Sequence, residues 1–327
     1  MLITVTVNGG ERAMIQIVCL NPAMDRTVLL DVLQPGHVHR SELGLTIPGG
    51  KGINVARFLK EIDPEIDVRL VGFTGGYIGE YIRHECKQAG LLEEFTQIEQ
   101  SSRVCTTVVE GNRTTVINEP GPTIHAGDIH KFWTTLIPDP DLVVISGSIP
   151  KGIPDSLYAE IIHYYNGLSI PVYLDSSGSA LKKGVSAGPL LIKPNEEEFR
   201  LLVGINDTHL STADIVLLSL PFLEKNISYV LVSLGSRGLV LVSKGAQAMW
   251  IPSLPVTTRN PVGCGDALVA GIAYGMVQKR NVWVGMRYGV AAAAMNAMNL
   301  IPSLGRNPQE LDNYIKQVHL VPASIKA

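Results

Sequence analysis

The sequence predicts an α/β fold in which a mostly parallel central sheet carries helices on both faces and a small antiparallel sheet lies beside it. Two observations favour this fold. Short apolar runs alternate with amphipathic segments along the chain, and two stretches contain strand-like runs with no helix between them. Alternation of strands and helices is typical of βαβ units, which build parallel sheets.

The main sheet is predicted from short, largely apolar runs, a pattern typical of strands buried on both faces. These strands are expected at residues 15–20, 68–72, 142–146, 172–174, 190–192, 229–233 and 238–242. Helical patterns lie at residues 53–62, 79–89, 127–137, 155–165, 196–203, 211–225, 266–279 and 282–299. The last two helices are rich in Ala, Gly and Met, so we expect them to pack closely.

The small sheet is predicted from four strand-like runs, at residues 27–32, 38–47, 104–110 and 114–118. Gly111-Asn112 joins the last two runs and is a hairpin turn signal. We interpret this sheet as a lid inserted at about 26–47 and 103–118 into a single domain over residues 14–327, with residues 1–13 as an N-terminal extension. A homodimer through the exposed face of this β-lid is a further hypothesis.

Composition and charge argue against several classes of protein. The chain has 327 residues, 46% of them hydrophobic, and its formal net charge of -3 does not favour nucleic-acid binding. No apolar run reaches the roughly 18 residues of a membrane span, and the N-terminus has no signal-peptide pattern. The four cysteines form no CxxC pair, so neither a disulfide framework nor a zinc site is expected. We therefore expect a cytoplasmic protein with a small-molecule partner and no nucleic-acid or membrane partner.

A first candidate site is the loop Asn260-Pro261-Val262-Gly263-Cys264-Gly265-Asp266, which runs into a helix. Its glycines let the backbone approach a ligand, and the free N–H groups at the helix start form an anion site suited to a phosphoryl group in transfer. Asp266 is either the N-cap of this helix or a base that accepts the proton of an attacking hydroxyl. The helix dipole favours its ionised form, which would weaken it as a base.

A second group of candidates lies near the N-terminus. Gly49-Gly50-Lys51-Gly52-Ile53-Asn54 precedes a helix, so its backbone N–H groups and side chains could hold hydroxyls or a phosphate. Asp25 follows the first strand, at the strand end where open α/β sheets bind ligands. It is either an acceptor for two sugar hydroxyls or a residue that shapes a turn.

A third group follows a later strand, in Lys193-Pro194-Asn195-Glu196-Glu197-Glu198. Asn195 and Glu198 share one face if a helix starts there, and their oxygen atoms could orient hydrated Mg²⁺. The alternative is that the acidic residues complement a helix N-terminus. The segment Ser233-Leu234-Gly235-Ser236-Arg237-Gly238 either contacts nucleotide phosphates or only turns the chain.

In this order, the motifs at residues 20–25, 49–56, 193–198 and 260–266 resemble those of the ribokinase-like carbohydrate kinases, from about residue 14 to the end of the chain. Leu20-Asn21-Pro22 and Ser146-Gly147-Ser148-Ile149-Pro150-Lys151-Gly152 are similar to the branch that holds 1-phosphofructokinase and tagatose-6-phosphate kinase. The family turn usually has Ala or Ser where this chain has Cys264. The backbone N–H of Cys264 still serves, and its thiol could react with thiol reagents.

The resemblance implies a ribokinase-like fold with a β-lid, ATP as phosphoryl donor and a set of site residues. Asp266 would be the base, and the backbone N–H groups of Gly263, Cys264 and Gly265 would form the anion hole. The implied sugar ligands are Asp25, Gly50, Lys51 and Asn54, and Arg103 would bind the phosphate already present on the substrate. The implied nucleotide contacts are Lys193, Asn195, Ser233, Gly235, Gly238 and Gly263. Asn195 and Glu198 would hold Mg²⁺ through water.

The leading hypothesis is therefore a kinase that converts a ketohexose monophosphate to the 1,6-bisphosphate, with tagatose 6-phosphate, fructose 1-phosphate and fructose 6-phosphate as candidate substrates. Two alternatives stay open: a kinase for an unphosphorylated sugar or nucleoside, and a non-catalytic sugar-phosphate sensor on the same fold. A Rossmann dehydrogenase is disfavoured because the GxGxxG fingerprint is missing. The GxxxxGK[ST] sequence of a Walker A loop is missing as well.

Overall fold

A computed structural model of the protein describes residues 13–41, 43–111, 113–206, 209–245, 247–305 and 307–323. The predicted N-terminal extension lies outside the described residues except for Ala13, and Asn112 of the predicted hairpin turn also lies outside them. Within the described ranges, no helix is both long enough and apolar enough to cross a membrane.

The described residues form fourteen strands and ten α-helices. The strands are β1 (Met14–Cys19), β2 (Ala23–Leu29), β3 (Leu43–Gly49), β4 (Asp67–Gly75), β5 (Leu92–Ile98), β6 (Arg103–Glu110), β7 (Arg113–Asn118), β8 (Leu142–Ser146), β9 (Val172–Asp175), β10 (Leu191–Ile192), β11 (Tyr229–Ser233), β12 (Leu239–Ser243), β13 (Gln247–Ile251) and β14 (Val321–Pro322). The helices are α1 (Lys51–Ile62), α2 (Gly76–Gln88), α3 (Ala126–Trp133), α4 (Leu157–Gly167), α5 (Gly178–Ser186), α6 (Glu196–Val203), α7 (Thr212–Leu223), α8 (Cys264–Gln278), α9 (Val282–Ala297) and α10 (Leu311–Gln317).

The large sheet has the strand order β14-β13-β12-β11-β10-β9-β8-β1-β4-β5. All neighbours from β11 to β5 pair in parallel, and β11 to β14 pair antiparallel at the other end. Parallel neighbours bring their carboxyl ends to one edge of the sheet, which is where such sheets bind ligands. This topology therefore predicts the position of the site before any side chain is considered.

Helices cover both faces of the large sheet, as the largely apolar runs predict. In β1, Ile15 and Ile17 pack into a core with α1, α2, α8, α9 and α10, whereas Val18 packs into a second core with α3, α4, α5, α6 and α7. Successive side chains of a strand point to opposite faces, so a strand buried on both faces is mostly apolar. The buried polar residue of β1, Gln16, donates to the hydroxyl of Tyr165 and accepts from the backbone N–H of Ile137. The predicted fold class is confirmed.

The small sheet has the order β3-β2-β6-β7. Its outer pairs, β2–β3 and β6–β7, are antiparallel, and its central pair, β2–β6, is parallel. Strand β2 begins at Ala23 rather than at Thr27, so Asp25 lies within a strand of this sheet and not in a turn. We call this sheet the lid. The domain boundaries, one domain over 14–327 with the lid strands inserted at two places, stay a prediction.

The elements that the sequence did not predict are short or rich in polar residues. Strand β5 contains two consecutive glutamates, and α5 contains two lysines and two glycines within nine residues. Strand β14 has only two residues. The remaining unpredicted elements are β13 and α10. Apolar periodicity is too weak in such segments to identify them, and they are formed by packing against the rest of the fold.

The glycines of α8 and α9 bring the backbones of these two helices into contact. A Cβ on Gly275 would lie 2.2 Å from the Cα of Gly285, and a Cβ on Gly271 would lie 2.3 Å from the backbone N of Gly289. No side chain fits at these distances. The close packing expected from the Ala- and Gly-rich sequence is therefore present, and it fixes the helix that carries Asp266.

We predict that Gly275→Ala destabilises the protein by about 1–3 kcal/mol, because the new methyl group must push α8 and α9 apart. Urea unfolding followed by circular dichroism measures the change. The matched control is Gly127→Ala in α3, where a Cβ would meet nothing within 4 Å. The control should be as stable as the wild type or more stable. Equal stability of Gly275→Ala and Gly127→Ala would contradict this account of the helix contact.

Candidate active site

A cleft of about 420 Å³ lies between the lid and the carboxyl ends of the parallel strands. The lid contributes Cys105, Thr107, Val116 and Asn118, and the large sheet contributes Ser146 and Asp175. The predicted site residues that line the cleft are Asp25, Gly50, Lys51, Asn54, Arg103, Lys193, Asn195, Glu198, Ser233, Gly263, Gly265 and Asp266. The motifs at residues 20–25, 49–56, 193–198 and 260–266, which are far apart in the sequence, therefore meet at this cleft.

Three predicted residues are not part of the cleft wall. Gly235 and Gly238 lie in the turn between β11 and β12, and a Cβ on Gly238 would be 2.1 Å from the carbonyl oxygen of Ile251. Cys264 directs its thiol towards α9, where the Sγ donates to the carbonyl oxygen of Ala293 at 3.4 Å. The backbone N–H of Cys264 donates to the carbonyl oxygen of Pro261 at 3.3 Å, within the turn.

Asp266 is buried at the start of α8 and is not the N-cap of this helix. The N-cap is Gly263, whose φ of 84° is a left-handed conformation that favours glycine. The Oδ2 of Asp266 accepts a hydrogen bond from Asn54 Nδ2 at 2.9 Å. The side chain is therefore held by another helix and directed into the cleft, which leaves the base interpretation as the one that the geometry favours.

The pKa of Asp266 differs from the expectation based on the helix dipole. Burial raises the pKa of Asp266 to about 7, and the positive charge of Lys51 opposes this effect only in part. Desolvation disfavours the charged form of a carboxyl group, and here it exceeds the stabilisation by nearby cations. A carboxylate with a pKa near neutrality is a better proton acceptor than a fully stabilised one.

Two buried asparagines hold the turn in front of α8. Asn260 accepts from the backbone N–H of Val262 at 3.0 Å, and its Nδ2 donates to the carbonyl oxygen of Leu300 at 2.8 Å. Asn296 of α9 donates to the carbonyl oxygen of Val262 at 2.8 Å and accepts from the backbone N–H of Ser303 at 3.1 Å. Sequence reasoning missed Asn296. Its signal is a lone amide in the C-terminal half of a helix, where residues 289–297 are otherwise small or apolar.

Asp175 is a second functional candidate that sequence reasoning missed. It ends β9, and its carboxylate lies 3.0 Å from Lys193 Nζ and 3.7 Å from Lys51 Nζ. Burial would raise the pKa of Asp175, but the charges of Lys193 and Lys51 outweigh burial and hold it below its usual value. Asp175 in turn raises the pKa of Lys51, so both groups stay charged. The signal in the sequence is an acidic residue at the carboxyl end of a buried strand.

Asp25 faces the cleft from β2. Burial raises the pKa of Asp25 to about 6, while hydrogen bonds from the backbone of Gly50 and the side chain of Asn54 oppose that rise. A Cβ on Gly49 would lie 2.0 Å from Asp25 Oδ2, so only glycine fits beside this carboxylate. Because Asn54 also donates to Asp266, its amide lies between the carboxylates of Asp25 and Asp266.

Arg103 begins β6 and is fixed by backbone carbonyl groups. Its Nε and Nη2 donate to the carbonyl oxygen of Asn21 at 3.2 Å and 3.1 Å, and its Nη1 donates to the carbonyl oxygen of Glu119 at 3.3 Å. These bonds use three of the five N–H groups of a guanidinium. The other two N–H groups of the guanidinium take no part in these bonds. Arg103 lines the cleft, and the three bonds fix the position of its side chain.

Asn195 and Glu198 form the N-terminal cap of α6. Asn195 Oδ1 accepts from the backbone N–H of Glu198 at 2.8 Å, and Glu198 Oε2 accepts from the backbone N–H of Asn195 at 2.9 Å. This reciprocal pair is a capping box. The alternative that acidic residues here complement a helix N-terminus therefore agrees with the structure. Both side chains also line the cleft.

Comparison with known proteins agrees with this geometry. The model of the pfkB family carbohydrate kinases matches residues 14–300. The chain belongs to this family. It is therefore an enzyme of the carbohydrate kinase class, and membership of a kinase family implies ATP as the phosphoryl donor. The resemblance stated from the sequence motifs is confirmed.

Relatives of the kinase cover nearly its whole length. It is 32% identical to a tagatose-6-phosphate kinase from Staphylococcus epidermidis, over 94% of this chain and 99% of the relative. It is also 32% identical to a 1-phosphofructokinase from Bacillus subtilis, over 88% of this chain and 93% of the relative.

Solved structures share the fold of the kinase. Phosphofructokinase-2 from Escherichia coli, in complex with substrates and products, superimposes with a TM-score of 0.84 at 22% identity, covering 94% of this chain and 100% of that one. Ribokinase from Thermotoga maritima superimposes with a TM-score of 0.75 at 20% identity, covering 93% of this chain and 99% of that one. The predicted ribokinase-like fold is confirmed.

The cleft of the kinase fits Mg²⁺ only through water. Among the described residues, no group of three His, Cys, Asp or Glu side chains could hold a metal ion directly. Glu198 uses Oε2 in the capping box, and no hydrogen bond between described residues involves its Oε1. Mg²⁺ prefers oxygen ligands and retains several waters, so one carboxylate oxygen facing the cleft suits a hydrated ion.

The thiols of the kinase are poorly suited to reaction with thiol reagents. Burial raises the pKa of Cys264, against a hydrogen bond from Asn296. Burial also raises the pKa of Cys19 and of Cys105 to about 11, and that of Cys86 to about 12. The thiolate is the reactive species, so thiols of this kind react slowly near neutral pH.

We predict that a disulfide reagent such as DTNB modifies native protein at pH 7–8 much more slowly than free cysteine, and that all four thiols react once the protein is unfolded. Absorbance of the released thiolate measures both rates. The Cys264→Ala variant tests the turn, because it should show the same slow native rate and one thiol fewer after unfolding. Rapid native modification that is lost in Cys264→Ala would contradict the buried thiol.

Proposed function

We propose that the protein is an ATP-dependent and Mg²⁺-dependent kinase that phosphorylates a ketohexose monophosphate to the 1,6-bisphosphate. The observation that carries this proposal is the buried carboxylate of Asp266, held by Asn54 at 2.9 Å at the N-terminus of α8, in a cleft that also contains the fixed guanidinium of Arg103. The relatives named tagatose-6-phosphate kinase and 1-phosphofructokinase support a substrate of this class.

In the proposed reaction, Asp266 accepts the proton of the attacking sugar hydroxyl. With a pKa raised to about 7 by burial, it populates the ionised form near neutral pH and retains the basicity to accept a proton. The backbone N–H groups of Gly263, Cys264 and Gly265 stabilise the negative charge on the transferring phosphoryl group, assisted by the positive end of α8.

The sugar lies against α1 and the lid in this proposal. Asp25, Gly50, Lys51 and Asn54 hold its hydroxyls, and Arg103 binds its existing phosphate. Hydrogen bonds to the carbonyl groups of Asn21 and Glu119 orient Arg103 before the substrate arrives, which reduces the entropy lost on binding. A guanidinium also matches the geometry of a phosphate dianion.

The nucleotide lies at the other end of the cleft in this proposal. The proposed contacts are Lys193, Asn195, Ser233 and Gly263, which all line the cleft. Asn195 and Glu198 orient hydrated Mg²⁺, which neutralises phosphate charge during transfer. Gly235 and Gly238 would take part only through the turn between β11 and β12, since they are absent from the cleft wall.

The proposed setting is the cytoplasm, because all four cysteines are free thiols, as is usual in a reducing compartment. A homodimer through the lid is also proposed. Strand β7 supports it, since Ile117 is 59% exposed at an edge of the lid sheet. Exposed apolar residues on an edge strand are common at protein interfaces.

The test of the function is an ADP-release assay with Mg-ATP and a panel of tagatose 6-phosphate, fructose 1-phosphate, fructose 6-phosphate, ribose and adenosine. We expect turnover with at least one ketohexose phosphate and a fall in kcat of about 10²–10⁴-fold in Asp266→Asn, which cannot accept the proton. Binding of ATP by the variant should persist in calorimetry.

Three outcomes of this assay would overturn the proposal. Turnover of ribose or adenosine without any sugar phosphate would favour the kinase for an unphosphorylated substrate. Binding of sugar phosphate without ADP release would favour the non-catalytic sensor. Near-normal turnover by Asp266→Asn would remove Asp266 from the reaction.

We predict that Arg103→Ala raises the KM for the phosphorylated sugar by about 30- to 150-fold, the equivalent of about 2–3 kcal/mol for hydrogen bonds to a charged group. Steady-state kinetics with varied sugar phosphate measures this change. The matched control is Arg113→Ala, a lid arginine on β7 that is 74% exposed and pairs with Glu110. The control should keep the wild-type KM, and an unchanged KM in Arg103→Ala would remove this residue from the site.

A further inference from the structure

We propose that Asp175 is a positioning residue of the phosphoryl-transfer site, whose single carboxylate holds Lys51 at the sugar end and Lys193 at the phosphoryl end of the cleft. This inference rests on the proposed function. It concerns a residue that none of the sequence motifs contains, and it assigns the residue a role through two lysines rather than through contact with substrate.

The fold fixes Asp175 before it contacts either lysine. It ends β9, which lies between β8 and β10 in the parallel part of the sheet, and it is 1% exposed. Its Oδ2 accepts from Ser146 Oγ at 3.2 Å, and its carbonyl oxygen accepts from the backbone N–H of Gly147 at 3.0 Å. Both contacts come from the end of β8, so the carboxylate is anchored to the rigid sheet.

The two lysines reach this carboxylate from different elements. Lys193 follows β10 and is almost fully buried, with Nζ 3.0 Å from Asp175 Oδ1. Lys51 begins α1 and is 42% exposed, with Nζ 3.7 Å from Asp175 Oδ2. Lysine side chains are flexible, so a fixed counter-ion determines where each ammonium group lies.

The positions of the ammonium groups relate them to opposite ends of the reaction. Lys193 Nζ lies 3.9 Å from the point that a Cβ on Gly265 would occupy, directly against the anion-binding turn. Lys51 lies one helical turn before Asn54, which donates to Asp266. One carboxylate thus sets the spacing between a cation at the transferring phosphoryl group and a cation beside the sugar and the base.

The charge balance also fits a site for phosphate rather than a purely structural ion pair. Two ammonium groups and one carboxylate leave the cluster of Lys51, Asp175 and Lys193 with a net positive charge, which a phosphoryl group can neutralise. Buried ion pairs are weak contributors to stability compared with apolar packing, because desolvation offsets most of the attraction. A fully buried carboxylate between two lysines is therefore better explained by positioning than by stability.

Asp175 also affects the base through its charge. The groups that face Asp266 are Lys51 and Asn54 from α1, Asp175 from β9, Lys193 after β10, Cys19 from β1, Cys264 from its own helix and, across Asn54, Asp25 from β2. Among them, the negative charge of Asp175 raises the pKa of Asp266, and Lys51 and Lys193 lower it. Removal of the charge of Asp175 therefore lowers the pKa of Asp266.

Loss of the negative charge of Asp175 should shift the acid limb of the activity profile to lower pH. Asp266 must be ionised to accept a proton, so activity is lost as the pH falls through its pKa. The acid limb of the kcat/KM profile should therefore lie at lower pH in Asp175→Asn than in the wild type. At the same time, kcat should fall by about 10- to 100-fold, since small misplacements of catalytic groups have effects of this size.

The experiment compares wild type, Asp175→Asn and Asp175→Glu in the ADP-release assay with Mg-ATP and tagatose 6-phosphate, fructose 1-phosphate or fructose 6-phosphate, from pH 5 to 9. Asp175→Glu keeps the charge but moves it, so its kcat should fall while its acid limb stays near that of the wild type. The matched control is Asp67→Asn on β4, which pairs with Arg69 at 3.3 Å outside the cleft wall. It should keep both the wild-type kcat and the wild-type acid limb.

The outcomes separate this inference from the proposed function. No turnover by the wild type with any of the three sugar phosphates would contradict the function itself. With an active wild type, a normal kcat in Asp175→Asn or an acid limb that does not move would overturn the positioning role. If Asp175→Asn does not fold, judged by circular dichroism, Asp175→Glu decides alone, and a wild-type kcat in that variant would overturn the inference.

Discussion

The hydrogen bond from Asn54 to Asp266 joins α1 and α8, two helices whose first turns line the cleft. Asn54 belongs to α1 near the start of the chain, and Asp266 to α8 near its end, yet their side chains meet at 2.9 Å in a buried environment. A buried carboxylate is costly unless polar groups compensate for the lost water. Asn54 provides one such group, and the lysines around Asp175 provide the opposite charge. The cleft therefore depends on the relative positions of α1, α8 and the carboxyl ends of the parallel strands.

The arrangement follows from features of the fold that lie outside the cleft. Parallel strands bring Asp175 and Lys193 to one edge of the large sheet, whereas the glycines of α8 and α9 let these helices pack at backbone contact. Asn296 of α9 then reaches the turn at Val262 and holds it in place. The N-terminus of α8 is thus positioned by the helix packed behind it, which explains why the anion-binding turn and a helix of small residues follow each other in the chain.

Local patterns were sufficient to predict most strands that are buried on both faces, since such strands are largely apolar. They were also sufficient for the glycine-rich helix starts that carry Lys51 and Gly263. They could not identify Asp175 or Asn296, because the role of each depends on contacts with residues distant in sequence. Asp25 illustrates the same limit: a turn was one of its two interpretations from local sequence, but pairing of β2 with β3 and β6 places it within a strand. The pKa of Asp266 likewise depends on burial, which a motif does not contain.

The pKa of Asp266 near 7 reflects a balance between burial and the neighbouring charges. Two lysines without a counter-ion would stabilise the carboxylate strongly and make it a weak base. With no lysine nearby, burial would keep the carboxyl group protonated, and the transferring phosphoryl group would lack fixed cations. In the proposed reaction, a single carboxylate shared by both lysines satisfies both requirements, because it retains a net positive charge for the phosphoryl group while limiting the effect of that charge on the base. Asp175 would thus link phosphate recognition to proton transfer, which are otherwise opposing electrostatic demands.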